Sequence, residues 1–149
     1  MKKLFPKLFT AFLLMAAAPQ AKAALFINNN TGCDITMELY AHDFNHGTCV
    51  LHSGWFVVPA YNSVAYNNVT TLNSGTPSWL NGPAVLTGGT TVWGWDATKF
   101  YFGLAGGSGV VGAAGSCIPN ASTVIPNTCG SSVTVTWGPF GSNTVIDIN

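Results

Sequence analysis

The chain has 149 residues, of which 48% are hydrophobic and 7% are charged. Globular domains usually carry roughly a quarter of charged residues, so this surface must consist mainly of uncharged hydrogen-bonding and aromatic side chains. Residues 24–149 keep Lys99 as their one basic residue against five acidic ones, a net charge of −4. One cation cannot neutralise a row of phosphates, so nucleic acid and anionic lipid surfaces are excluded as expected partners.

The first 23 residues have the three parts of a bacterial secretory signal peptide. A basic start is followed by an apolar run over 8–18 and by small residues at Ala21 and Ala23. The run is too short for a permanent membrane helix, and the small residues suit cleavage before Ala24. We predict a cleaved signal peptide over 1–23, one domain over 24–149 and no stable membrane insertion after cleavage. The expected location is extracellular, on the cell surface or in the periplasm.

Short strand patterns separated by turn residues run through the rest of the chain. The clearest spans Cys33 to Ala41, where apolar and polar side chains alternate as they do in a half-buried antiparallel strand. Turn signals recur at roughly 8 to 12 residues, and no long amphipathic helix is predicted. The pattern predicts an all-β, single-domain antiparallel β-sandwich or jelly roll with about nine or ten short strands. The strand candidates are 25–27, 33–41, 48–52, 54–58, 63–71, 90–95, 99–104, 122–125, 131–137 and 143–148.

Four cysteines, Cys33, Cys49, Cys117 and Cys129, form an even set in a chain with an export signal. Such a set predicts two disulfides. Of the three connectivities we favour the local one, Cys33 with Cys49 and Cys117 with Cys129, because each pair brackets a strand and a turn. Each local bridge would stabilise the fold by about 3 kcal/mol.

Three segments between the strand candidates lack a clear strand pattern. Residues 73–89 predict a long loop, and Asp96-Ala97-Thr98 predicts a hairpin connection between two aromatic strands. The glycine-rich stretch 103–115 carries no charge. It is interpreted as a flexible surface loop in preference to a close-packed segment or a membrane-active loop.

All three histidines lie within eleven residues, together with one carboxylate: His42, Asp43, His46 and His52. Imidazole and carboxylate groups are good ligands for zinc or copper. The spacing matches no standard metal motif, however, so ordinary loop histidines are the favoured interpretation. A zinc or copper site is the alternative.

Trp93 and Trp95 lie two residues apart, so they point to the same side of a strand, and Tyr101 follows on the next strand candidate. If exposed, such rings form a platform on which sugars stack; if buried, they belong to the core. Large aromatic side chains in a small β domain favour the core interpretation.

No catalytic signature appears in the sequence. Asp34 and Glu38 share one strand face, but their spacing puts them about 13 Å apart, beyond the roughly 5 to 9.5 Å that a glycosidase needs. The chain contains no Gly-x-Ser-x-Gly nucleophile elbow. We therefore predict a protein without enzymatic activity.

The first function hypothesis is a structural or interaction protein that binds protein surfaces or copies of itself. The terminal segments 24–28 and 144–148 are short and β-prone, with little sequence beyond them to cover an edge, so self-association through β-strand contacts is one form of it. The favoured alternative is that the two segments pair with each other inside one domain. A carbohydrate-binding module is the second hypothesis. A metal-binding protein is the third.

Overall fold

The computed structural model describes residues 24–149, and the predicted signal peptide lies outside the described residues. The described part contains ten strands in two five-stranded sheets, which confirms the all-β prediction. Two short 3₁₀ turns, Val69–Asn73 and Gly103–Ala105, accompany them. The strands are β1 Leu25–Asn29, β2 Ile35–His42, β3 Leu51–His52, β4 Phe56–Val58, β5 Asn62–Tyr66, β6 Gly94–Tyr101, β7 Ser108–Gly112, β8 Ser122–Thr128, β9 Ser131–Phe140 and β10 Asn143–Ile148.

The two terminal strands lie side by side in the middle of one sheet. This sheet, called sheet A, has the order β5-β1-β10-β9-β8, and β1 runs parallel to β10 with Leu25 opposite Thr144. The other pairs in sheet A are antiparallel. Because β1 and β10 each have neighbours on both sides, neither terminal strand leaves an edge for strand exchange.

The second sheet, called sheet B, has the order β3-β2-β6-β7, and β4 also pairs with β2. All of its pairs are antiparallel. Alternate residues of both sheets point inward and form one buried cluster between them, the arrangement of a β-sandwich. Fully buried members of this cluster include Leu25, Ile27, Ile35, Met37, Leu39, Val58, Ile146 and Ile148.

A buried asparagine joins the two sheets where the chain crosses from β1 to β2. The Asn29 amide donates to the carbonyls of Cys33, Val58 and Pro59 at 2.8, 3.1 and 3.0 Å. Its side-chain oxygen accepts from the N–H and the hydroxyl of Thr31. One buried side chain thus links Cys33, at the entry to sheet B, with the end of β4.

The predicted hairpin at Asp96-Ala97-Thr98 is wrong. These residues are buried inside the continuous strand β6, which pairs with β2 on one side and β7 on the other. The register between β2 and β6 shifts between Tyr40 and Ala41, which marks a β-bulge. The residues that resembled a turn in the sequence lie at this bulge.

The interpretation of residues 103–115 as a surface loop is also wrong for its middle part, which forms β7. A Cβ on Gly109 would lie 2.7 Å from the Phe100 ring, and a Cβ on Gly112 would lie 2.5 Å from the Ile118 carbonyl oxygen. Glycine is required at both positions because neighbouring groups occupy the space of a side chain. The close-packed alternative describes this segment.

All four cysteines are in disulfides, but the preferred local connectivity is wrong. Cys33 is bonded to Cys129 and Cys49 to Cys117, with Cα separations of 5.6 and 6.1 Å. Both bridges join the first half of the domain to the segment 117–129. Cys33 reaches Cys129 because the sandwich brings the start of β2 beside the turn between β8 and β9. The bridges span 96 and 68 residues, for which loop entropy gives about 4.7 and 4.4 kcal/mol, more than local bridges give.

Replacing Cys33 and Cys129 together by serine should lower the free energy of unfolding by about 4 kcal/mol. The reason is that the unfolded chain is no longer closed into its longest disulfide loop and so gains conformational entropy. Chemical denaturation measures the change, and peptide mapping without reduction should recover Cys33 linked to Cys129. A Cys33–Cys49 peptide would contradict the described topology.

Candidate functional site

The outer face of sheet B carries the candidate site. Along β2 the side chains of Met37 and Leu39 point into the core, whereas Thr36, Glu38 and Tyr40 point outward. On the neighbouring strands, Tyr101 lies opposite Thr36, Lys99 opposite Glu38, and His52 opposite Tyr40. Strand alternation therefore gathers aromatic and hydrogen-bonding groups on one face.

Three large side chains lie exposed at one end of this face. Trp55, Val57 and Tyr101 have exposed fractions of 49%, 51% and 41%. The rings of Trp55 and Tyr101 have their centroids 5.3 Å apart with their planes at 61°. We call these three residues the aromatic platform.

A row of polar groups adjoins the platform. The Tyr40 hydroxyl donates to Glu38 at 2.6 Å, and Nδ1 of His52 lies 3.3 Å from the other Glu38 oxygen. The Lys99 ammonium lies 5.2 Å from the centre of the Tyr40 ring. We call four residues the polar row: Glu38, Tyr40, His52 and Lys99. The row offers hydrogen-bond donors and acceptors, and it contains one acidic and one basic side chain.

The polar row changes the acidity of two of its members. Burial, followed by the hydrogen bond to Glu38, raises the pKa of the Tyr40 hydroxyl. Hydrogen bonding to Tyr40 and the charge of Glu38 raise the pKa of Lys99 despite partial desolvation. Tyr40 therefore stays a neutral donor and Lys99 a cation at neutral pH.

Trp93 and Trp95 have exposed fractions of 3% and 5%, so they follow the favoured core interpretation and not the stacking alternative. The Trp95 ring packs between those of Tyr66 and Trp79, with centroids 6.0 Å away from each. Burial raises the pKa of Tyr66 to about 12, as expected for a phenol inside such a cluster. Both tryptophans belong to the core, and Tyr101 alone of the three predicted stacking residues is exposed.

Sequence reasoning missed Trp55 because its surroundings are uniformly apolar. In the run Gly54 to Val58, alternation points Phe56 and Val58 inward and Trp55 and Val57 outward. A strand with apolar side chains on both faces has no polar residue to identify the outer one. Its pairing with β2 supplies that information.

The three histidines lie in three separate pairs with carboxylates. Nδ1 of His42 lies 2.6 Å from Asp96, and Nδ1 of His46 lies 2.8 Å from Asp43. The third pair is His52 with Glu38. Within residues 24–149 no three side chains of the metal-ligating types form a group that could hold an ion. The geometry therefore gives no support to a zinc or copper site shared by His42, Asp43, His46 and His52.

Asp43 organises the loop that carries His46. Its carboxylate accepts hydrogen bonds from the backbone N–H groups of Asn45 and His46, and also from that of Val85 at 2.6 Å. Burial by itself raises the pKa of this carboxyl, but the hydrogen bonds from Val85, His46 and Asn45 outweigh it, so the pKa lies below 3.8. Asp43 thus acts as a structural anion that ties the histidine loop to Val85.

No protein-family model, curated protein or solved structure matches the chain. In the part of the chain that the structure describes, no helix is long and apolar enough to cross a membrane. The function must therefore be argued from the geometry of the surface.

Replacing Asp43 by asparagine should lower the free energy of unfolding at neutral pH by about 2 kcal/mol, because several hydrogen bonds lose a charged acceptor. The depressed native pKa of Asp43 stabilises the fold fully above about pH 4, and this contribution is lost as the pH falls through the native pKa. The variant should therefore lose less stability on acidification than the natural protein.

Denaturation at a series of pH values measures both effects. Asp34→Asn is the matched control, since Asp34 is exposed and accepts a single backbone hydrogen bond from Ala60. Identical acid profiles for the natural protein and the Asp43 variant would contradict the structural role of this carboxylate.

Proposed function

We propose that this protein is an exported, non-catalytic interaction protein that binds a carbohydrate through the aromatic platform. The observation that carries the proposal is the exposed pair of Trp55 and Tyr101 beside the polar row. This moves the carbohydrate hypothesis from the buried Trp93 and Trp95 to another part of the molecule.

The chemistry of the face suits sugars better than other ligands. Sugar rings have apolar faces that stack on aromatic side chains, and their hydroxyl groups need both donors and acceptors. The aromatic platform supplies a stacking surface. The polar row of Glu38, Tyr40, His52 and Lys99 supplies donors and acceptors. A single lysine on the face gives little attraction for polyanions.

The angle between the rings favours one kind of carbohydrate. Planes inclined at 61° cannot both lie flat on one planar surface, such as the face of a crystalline polysaccharide. They can contact successive units of a single chain, whose sugar rings turn relative to one another. We therefore expect a soluble oligosaccharide or a single polysaccharide strand as the ligand.

Export is supported by the disulfides. Two bridges within residues 24–149 are stable in oxidising compartments and are rare in the cytosol. The signal-peptide pattern of the first 23 residues agrees with the same location.

Trp55→Ala and Tyr101→Ala should each weaken binding to the best ligand on a glycan array by about tenfold, equivalent to about 1.4 kcal/mol. The cause is the loss of a stacking surface, and isothermal titration with that glycan measures it. Phe140→Ala is the control, because it removes an exposed ring from sheet A and should leave the affinity unchanged. Failure to bind any glycan, or binding that survives both platform substitutions, would refute the proposal.

Self-association is a second candidate because one sheet edge lies open. The other edges are obstructed: β7 is covered by the Asn120 and Thr123 side chains, both donating to Val110. β3 is covered by Leu80 and Asn81. β4 has only three residues, and β8 contains a proline and a bulge.

The open edge is β5, Asn62–Tyr66, which contains no charge and no proline. Hydrogen bonds from Asn30 to Ile148 and from Thr144 to Ala24 show that the even-numbered residues of β1 bond to β10. The odd-numbered ones therefore bond to β5, which leaves the main-chain groups of Ser63 and Ala65 pointing outward. The Asn62 side chain accepts from the Ser63 N–H, so the Ser63 carbonyl and the main-chain groups of Ala65 are the ones offered for pairing. A strand of a second copy of this chain would pair with them.

Ser63→Lys should shift any concentration-dependent oligomer towards monomer, because a charged side chain on an edge strand opposes pairing. Analytical ultracentrifugation over a range of concentrations measures the effect. Ser122→Lys on the obstructed edge β8 is the matched control and should behave as the natural protein does. Monomers of the natural protein at every concentration would remove this candidate.

A further inference from the structure

A pocket lies on the outer face of sheet A, on the side of the sandwich opposite the aromatic platform. Its volume is about 290 Å³, near the lower limit for pockets that bind small molecules. The lining residues are Phe26, Asn28, Phe140, Val145 and Asp147. A larger cavity of about 340 Å³ is lined mainly by small and apolar residues and has no charged group.

Two phenyl rings form adjacent walls of the pocket. The rings of Phe26 and Phe140 are nearly perpendicular, at 82°, with centroids 6.3 Å apart. Val145 lies directly opposite Phe26 in the register, and its other neighbour across β9 is Gly138, which has no side chain to fill the space. The result is a corner between two rings, of which Phe140 is exposed and Phe26 is half-buried.

The third wall carries a negative charge. Oδ1 of Asp147 accepts a hydrogen bond of 2.8 Å from the Asn28 amide, a neutral donor that leaves the charge of the carboxylate in place. By contrast, Glu38, Asp43 and Asp96 each lie beside a histidine. Within residues 24–149 the only lysine or arginine is Lys99, which belongs to sheet B.

We propose that this pocket binds a trimethylammonium group, as found on choline. The positive charge would face Asp147, and the methyl groups would contact the faces of Phe26 and Phe140, which attract cations through their π electrons. Perpendicular rings enclose a compact, rounded group better than a flat sugar ring. The inference does not depend on the carbohydrate proposal, because the two sites lie on different sheets.

Titration of the isotope-labelled protein with choline chloride, followed by nuclear magnetic resonance, tests the site. Choline should shift the signals of the pocket residues, and dimethylbutanol, in which carbon replaces the charged nitrogen, should bind more weakly. Asp147→Asn keeps an oxygen that can accept from Asn28 and should weaken choline binding about threefold, with no effect on dimethylbutanol. Phe140→Leu keeps an apolar side chain but should weaken choline binding about 2- to 5-fold.

Asp34→Asn is the matched control for loss of one negative charge and should bind choline normally. Phe140 is 65% exposed, and Asp147→Asn preserves the hydrogen bond, so both variants should retain the amide spectrum of the folded protein. Equal affinity for choline and dimethylbutanol, shifts outside the pocket, or no effect of Asp147→Asn would overturn the proposal.

Vesicles of phosphatidylcholine distinguish the two sources of the group. Sedimentation of the protein with the vesicles, reversed by free choline, would assign the site to a lipid headgroup. Binding of free choline without vesicle sedimentation would assign it to a soluble ligand.

Discussion

The fold depends on the corner at which the chain leaves sheet A and enters sheet B. Asn29 is buried at this corner, and its amide bonds to the carbonyl of Cys33 in the corner and to those of Val58 and Pro59 at the end of β4. The disulfide from Cys33 to Cys129 fixes the same corner covalently to the turn between β8 and β9. With the corner held, β1 can pair with β10 in the middle of sheet A while β2 begins sheet B.

This arrangement leaves two outer faces, and the low charge of the chain determines their character. With so few ionic groups, each outer face has only one or two charged side chains beside its exposed aromatic residues. On sheet B, Trp55 and Tyr101 lie beside a row of hydrogen-bonding groups. On sheet A, Phe26 and Phe140 lie beside an acid without a cationic partner. Similar aromatic content therefore supports different ligand chemistry on the two faces.

Alternation predicted the strands well wherever one face is polar, as in β2 and β10. It failed where both faces are apolar or where burial is complete. β6 contains Asp96 and Thr98, which resemble turn residues in the sequence, but both are buried. The Asp96 carboxylate bonds to His42 and to the backbone of Cys49. The same ambiguity left Trp93 and Trp95 as candidate stacking residues beside the favoured core interpretation, and it overlooked Trp55.

The sequence by itself determined the fold class and the involvement of all four cysteines in disulfides, because alternation and cysteine parity are local or countable properties. The number of strands agrees only because β6 merges two strand candidates while β7 was predicted as a loop. Only the tertiary structure decided which cysteines pair, which tryptophans are exposed and how the histidines are distributed among carboxylates. These properties depend on contacts between residues far apart in the chain, such as Cys33 with Cys129 and Trp55 with Tyr101. Strand order and register establish those contacts, and neither can be derived from the periodicity of a single strand.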